Sequence, residues 1–409
     1  AASVHHRQGG AVVSRLAARM GQLGTETAFT VLAEVKRLEA EGRSVINFAI
    51  GEPDFDTPAH IKQAGIAALQ RNETHYSPSA GIMPLRSAIA AHVAESRGIE
   101  ATPEEVVVTP GAKPIIFYSV LALVEPGDEV IYPNPGFPIY ESVIRFAGGK
   151  PVPAPLLESK GFRLDVEAVA RQVNDRTRMI IINSPHNPTG SVLTRDDLEA
   201  LAELARRHNI WVLSDEIYGR ILFDGEFASI AQLPGMRERT IILDGFSKIY
   251  AMTGWRLGYG VMPPFLAEAV ARLITNCESC TATFTQHAGI AALTGPQDDA
   301  AAMVAEFRAR RDMIVDGLNA IPGVRCHRPG GAFYVFPNVT GLCRRLGLPG
   351  AKALQDRLLQ EAGVAVLARS AFGAPFEGED QEYVRFSYAT SRENIAEGLR
   401  RLRAFAAGA

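Results

Sequence analysis

Ser247-Lys248 follows an apolar run, Thr240 to Leu243, and the turn Asp244-Gly245-Phe246. A lysine carried at the end of a sheet strand points into the crevice where open α/β sheets bind ligands. Burial there lowers the ammonium pKa and frees the amine for imine chemistry. Arg256 follows within Thr253-Gly254-Trp255-Arg256-Leu257-Gly258-Tyr259, and a guanidinium can hold a phosphate through two parallel hydrogen bonds. Taken alone, the pair reads better as a loop lysine and a structural arginine.

Three other stretches share this logic. In Asn183-Ser184-Pro185-His186-Asn187-Pro188-Thr189-Gly190 two prolines flank one amide side chain, stiffening a loop that a plain connection would leave soft. In Ser214-Asp215-Glu216-Ile217-Tyr218 a carboxylate closes an apolar strand. Buried, it needs a cationic partner, and the N–H of a pyridinium ring would serve. The plainer alternatives are a helix cap for Asp215 and core packing for Tyr218. Thr109-Pro110-Gly111-Ala112-Lys113 leads from a strand into a helix, whose free N–H groups form an anion site. It is not a Walker loop, and the chain has no G-x-G-x-x-G to suggest a dinucleotide.

The elements that must position these residues alternate. Strands are expected at Val106 to Thr109, Glu129 to Tyr132, Thr177 to Asn183, Ile210 to Ser214, Thr240 to Leu243 and Leu257 to Val261. Helices are expected at Leu85 to Arg97, after Lys113, and at Asp196 to His208, which predicts an α/β fold with a mostly parallel sheet. A helical stretch is expected from Val12 to Glu41, and Thr57-Pro58 should open a helix with Thr57 as its cap. Beyond Thr294-Gly295-Pro296 the rhythm changes to an α+β module with a long charged helix, onto which the N-terminal arm should fold back.

Composition narrows the function classes. In the 409 residues, 42 Lys+Arg balance 45 Asp+Glu, which argues against a dedicated nucleic-acid or membrane-surface binder. Only seven of the basic residues are lysines, so few amines compete for the reactive role. The longest apolar stretch, Ile115 to Val124, is about half the roughly 20 residues of a membrane span. Four cysteines are too few for a disulfide framework. Cys277 and Cys280 form one C-x-x-C without a second pair, so no metal site is expected, and His5 and His6 read as surface residues. The expectation is a cytoplasmic protein.

Together, and in this chain order, N-P-T-G, D-E-x-Y and Ser-Lys with T-G-W-R-L-G-Y resemble the class I/II aminotransferases. These are fold-type I pyridoxal-phosphate enzymes, and the likeness is to their bacterial aspartate-type members. Ile50-Gly51-Glu52-Pro53-Asp54-Phe55-Asp56-Thr57-Pro58, His75-Tyr76-Ser77-Pro78 and Val384-Arg385-Phe386-Ser387-Tyr388 extend the resemblance from about Leu23 to the last helix. It implies a large domain with a mostly parallel seven-stranded sheet and a smaller α+β domain. Residues 51–295 would form the large cofactor-binding domain, 296–409 the small one, and 1–50 an arm and part of the small domain.

The resemblance also implies roles. Lys248 would form the Schiff base with pyridoxal 5'-phosphate and then shuttle a proton. Asp215 would pair with the pyridine nitrogen, Asn187 and Tyr218 with the phenolic oxygen, and Phe137 would stack on the ring. Arg256, Ser247 and the Gly111-Ala112-Lys113 turn would hold the phosphate, with Tyr76 reaching in from the partner subunit of a homodimer that shares its active sites. Arg385, helped by Gly51 and Asn187, would clamp the α-carboxylate of an amino acid. Lys113 would meet a distal carboxylate, while Phe29 and Phe284 would suit an apolar or aromatic side chain. Gly245 and Ala112 stand where many members carry hydroxyl donors to the phosphate. The implied activity is transfer of an amino group from an L-amino acid to a 2-oxo acid by a ping-pong mechanism, aspartate-type or broad-range. The same residues serve C–S lyases and related carbanion enzymes. A non-catalytic cofactor-binding regulator would instead be expected to carry a helix-turn-helix domain and to have lost Lys248, Asp215 or Arg385.

Overall fold

Val106-Val107-Val108 and Met179-Ile180-Ile181-Ile182 are apolar at every position rather than at alternate ones, the pattern of strands covered on both faces. In the computed structural model, which describes residues 14–408, both runs are buried strands of one large sheet. His5 and His6 lie outside the described residues.

The sheet comprises β1 (Val106–Thr109), β2 (Glu129–Asn134), β3 (Lys150–Leu157), β4 (Arg163–Leu164), β5 (Thr177–Asn183), β6 (Trp211–Asp215), β7 (Thr240–Gly245) and β8 (Gly258–Val261). Its order is β1-β8-β7-β6-β5-β2-β3-β4. Strands β7, β6, β5, β2 and β3 are successively parallel. Strand β8 runs antiparallel to both β7 and β1, so β1 points the same way as β7. The expected seven strands are present, and two-residue β4 adds an antiparallel eighth. Alternate residues face opposite layers. Ile181, Leu213 and Ile241 pack under helices Lys113–Leu123, Ile139–Phe146 and Pro264–Thr275, while Ile180, Ile182 and Val212 pack under Arg195–His208.

Strand β3 was not legible in advance. Pro151, Pro153 and Pro155 look hostile to a sheet, but their period of two puts all three missing donors on one side. The intervening residues pair with β2, as where Lys150 N donates to Asp128 O at 2.7 Å.

A second, antiparallel sheet places Val384–Ser387 between Tyr334–Val335 and Leu367–Ala368. Ile46–Asn47 pairs in parallel with Val364–Ala365, bringing the N-terminal segment onto this C-terminal part. Two sequence expectations need correction. The described part of the stretch from Val12 to Glu41 is broken into a 3-10 turn, Ala18–Gln22, and a helix, Thr27–Ala40. Between them Gly24 leaves the helical path and its N–H donates to Ser142 Oγ at 2.9 Å. Thr57 does not cap the helix Ala59–Gln70; its hydroxyl donates to Ala251 O and accepts from Trp255 Nε1. Among the described residues no helix is long and apolar enough to cross a membrane.

Candidate active site

The C-terminal ends of β1, β2, β5, β6 and β7 open on one side of the sheet. In the register Asn183 lies opposite Asp215, and Asp215 opposite Leu243, so the stretches read from the sequence arrive side by side. They line a cavity of about 570 Å³, reached by Gly51, Ala112, Lys113, Phe137, Asn187, Asp215, Tyr218, Ser247, Lys248, Arg256 and Arg385. Gly111, though not on the wall, packs directly behind Arg256. Two other expected residues stand outside this cavity: Tyr76, which is 89% exposed, and Phe284, in the helix Thr283–Thr294, whereas Phe29 does line it.

Asp215 is buried at the tip of β6. Its Oδ2 accepts from the Tyr140 hydroxyl at 2.5 Å and its Oδ1 from Ile217 N at 3.3 Å. Burial raises its pKa to about 6 despite these two donors, because the charged form lacks water. The side chain is not a helix cap. Lys248, partly buried, donates from Nζ to Gly51 O at 2.6 Å. Desolvation, with the nearby Arg385 charge, lowers its pKa to about 8.

Arg385 is buried with neutral acceptors: Asn187 Oδ1 at 2.9 Å and Ala49 O at 2.8 Å. Its guanidinium carbon lies 4.3 Å from the Tyr334 ring centroid, and its Nε has no hydrogen-bond partner among the described residues. A buried guanidinium with an unspent donor and no carboxylate against it is an anion receptor. Tyr218 does more than pack: its hydroxyl lies 2.6 Å from that of Tyr334.

Gly111 explains how Arg256 is seated. It has φ +81°, and a Cβ there would lie 2.0 Å from an Arg256 guanidinium nitrogen. Arg256 itself has φ +54° and donates to Thr253 O at 2.9 Å, leaving the rest of its fork directed at the turn before helix Lys113–Leu123. Lys113 is already engaged, its Nζ 2.9 Å from Glu26 Oε1.

Over residues 43–402 the sequence matches the family described as Aminotransferase class I and II. The chain belongs to that family. A probable aspartate/prephenate aminotransferase of Aquifex aeolicus is 42% identical over 95% of this chain and 98% of that protein. An aromatic-amino-acid aminotransferase of Thermococcus litoralis is 40% identical over 90% and 94%. The crystal structure of the Rhizobium meliloti aspartate aminotransferase superposes with a TM-score of 0.90 at 38% identity, over 96% of this chain and 99% of that one. As an aminotransferase of this family the protein is a pyridoxal-phosphate enzyme. The cavity suits that cofactor: a buried carboxylate without a cation among the described residues, a partly buried amine of lowered pKa, and an arginine fork against a glycine whose positive φ and close approach disfavour a side chain.

Sequence reasoning missed four residues of this aminotransferase site. Asn183 opens the stretch that carries Asn187 but was given no role there, while Tyr140, Tyr334 and Glu26 sit in no recognisable motif and only their spatial neighbours reveal them. It also left Glu216 unassigned. Glu216 and Asp244 accept from buried Arg97 at 2.9 and 2.8 Å, tying the tips of β6 and β7 together beneath the cavity. Ser214 and Ser229 hydroxyls occupy the other Glu216 oxygen at 2.8 and 2.7 Å.

Proposed function

We propose that this aminotransferase moves the amino group of an L-amino acid to a 2-oxo acid by a ping-pong mechanism, with aspartate-type or broad-range donors. The observation that carries the reading is the convergence of the Lys248 amine, the Asp215 carboxylate and the carboxylate-free guanidinium of Arg385 on one cavity. Arg385 binds the α-carboxylate bidentately, positioned by Asn187 and by the aromatic face of Tyr334. Lys248, with its lowered pKa, is the base that takes and returns the proton at the substrate Cα. Its hydrogen bond to Gly51 O keeps Nζ on the substrate side of the cavity.

Asp215 would hold a proton on the ring nitrogen of the bound cofactor, with Tyr140 orienting that carboxylate. Asn187 and Tyr218 would pair with the phenolic oxygen, Phe137 would cover the ring, and Ser247, Arg256 and the Gly111-Ala112-Lys113 turn would hold the phosphate. When bound, the cofactor supplies an electron sink for the carbanion formed at Cα. Lys113 is the residue for a distal carboxylate.

The exposed Tyr76 supports a homodimer in which it reaches the partner's phosphate site. Residues 51–295 form the cofactor-binding domain around the large sheet. Residues 1–50 join 296–409 in the smaller one, which the pairing of Ile46–Asn47 with Val364–Ala365 supports. The protein works in the cytoplasm on small-molecule substrates.

The test is a visible spectrum of the loaded protein during titration with amino acids. The absorbance band should bleach with a donor and return with a 2-oxo acid, and Lys248→Ala should abolish turnover. Product formation without any oxo-acid requirement would assign a lyase instead.

A further inference from the structure

Glu26 directly precedes helix Thr27–Ala40, where a capping side chain would stand, yet its carboxylate makes no cap hydrogen bond. It turns into the cavity and accepts from Lys113 Nζ at 2.9 Å. The Glu26 side chain is 13% exposed and that of Lys113 43%, so the carboxylate is the deeper member of the pair. Lys113 Nζ also lies 5.4 Å from the Phe137 ring centroid, which keeps the ammonium against the cavity wall. The Glu26 charge reaches the reacting groups, acting to raise the pKa of both Lys248 and Arg385. Around the pair the wall is apolar, with Phe29, Leu32, Ile116 and Phe372. The substrate side chain therefore faces a partly exposed ion pair beside apolar groups, rather than a lone cation.

We propose that Glu26 is a specificity-determining residue: its carboxylate occupies the Lys113 ammonium and disfavours dicarboxylate substrates relative to those with apolar or aromatic side chains. The proposal rests on the reading of this cavity as an amino-acid site clamped by Arg385. A second substrate carboxylate arriving at Lys113 must share one ammonium with Glu26. Two like charges then face each other in a partly desolvated space, where their repulsion is stronger than in water. A phenyl or alkyl side chain packs on Phe29, Leu32 and Phe137 and leaves the pair intact.

The experiment measures calorimetric binding of two unreactive analogues to the loaded enzyme: succinate, a dicarboxylate, and 3-phenylpropanoate, an aromatic monocarboxylate. Glu26→Gln removes the charge and keeps an acceptor for Lys113. It should tighten succinate by about tenfold and change 3-phenylpropanoate by less than about twofold, the selectivity expected of one removed like charge. The ratio of kcat/KM for aspartate to that for phenylalanine should rise in parallel. Equal shifts for both analogues, or no shift for either, would overturn the proposal. If Glu26→Gln does not fold, Glu26→Ser carries the same expectation. Arg385→Lys is the control for the underlying reading and should weaken both analogues. If it weakens neither, the assignment of the cavity fails and this proposal falls with it. If it weakens both while Glu26→Gln moves neither, the cavity stands and Glu26 is only a strut between the N-terminal segment and helix Lys113–Leu123.

Discussion

Asp215 is kept where burial favours the neutral acid. Its folded-state pKa, about 6, lies above the ordinary 3.8, so between these values the native state binds more protons than the unfolded chain. Its contribution to stability is present below about pH 4 and is lost as pH rises through about 6. The full penalty is roughly 3 kcal/mol at about 1.4 kcal/mol per pKa unit. Asp215→Asn should therefore stabilise the cofactor-free protein above pH 6 by up to that amount. The gain should shrink toward pH 4.5, and aminotransferase activity should collapse at every pH. Denaturant melts at pH 4.5 and 7.5 check the sign; a gain that does not depend on pH would remove the buried carboxylate as its cause. Arg385→Lys loses the planar fork and should lower kcat/KM by about 2–3 kcal/mol. An unchanged kcat/KM would show that Arg385 is not the clamp. Lys113→Ala should cost aspartate and glutamate more than alanine in steady-state kinetics, and a uniform loss would assign Lys113 to folding.

At the scale of elements, the turn between β1 and helix Lys113–Leu123 is shaped by Gly111. Gly111→Ala meets the Arg256 guanidinium and a positive φ together, which only glycine tolerates without strain. The variant should fold, with an unchanged far-UV circular dichroism spectrum, and lose cofactor affinity by about tenfold or more, read as retention on dialysis. Full retention would mean that Arg256 is not seated by this glycine. Most of these elements could be read in advance, because β5, β6 and β7 are continuous apolar runs ending at the polar residues that matter. Strand β3 could not be, since the meaning of Pro151, Pro153 and Pro155 depends on which side β2 lies. The helical stretch before Glu41 was over-read for a related reason: Gly24 breaks it to bond Ser142, 118 residues away.

The whole molecule is proposed to work as a pair of chains. If Tyr76 serves the neighbouring site, mixing inactive Lys248→Ala with Tyr76→Ala protein should create hybrids with one intact site. Activity after subunit exchange should then exceed the mean of the two parents. Activity equal to that mean would place Tyr76 outside the partner's site.

The likeness to the family pointed to Lys248, Asp215, Asn187, Arg256 and Arg385 because each sits in a local stretch, whereas residue type and spacing alone left Lys248 and Arg256 open to plain structural readings. Strand periodicity gave the α/β class for the same reason, since burial on both faces is written position by position. What only the tertiary structure decided is who stands opposite whom. Tyr140 beside Asp215, Tyr334 between Tyr218 and Arg385, and Glu26 on Lys113 join residues 75, 116 and 87 positions apart in their hydrogen bonds. Such pairings are set by sheet register and by the path of the N-terminal segment, and no local pattern in a chain encodes them.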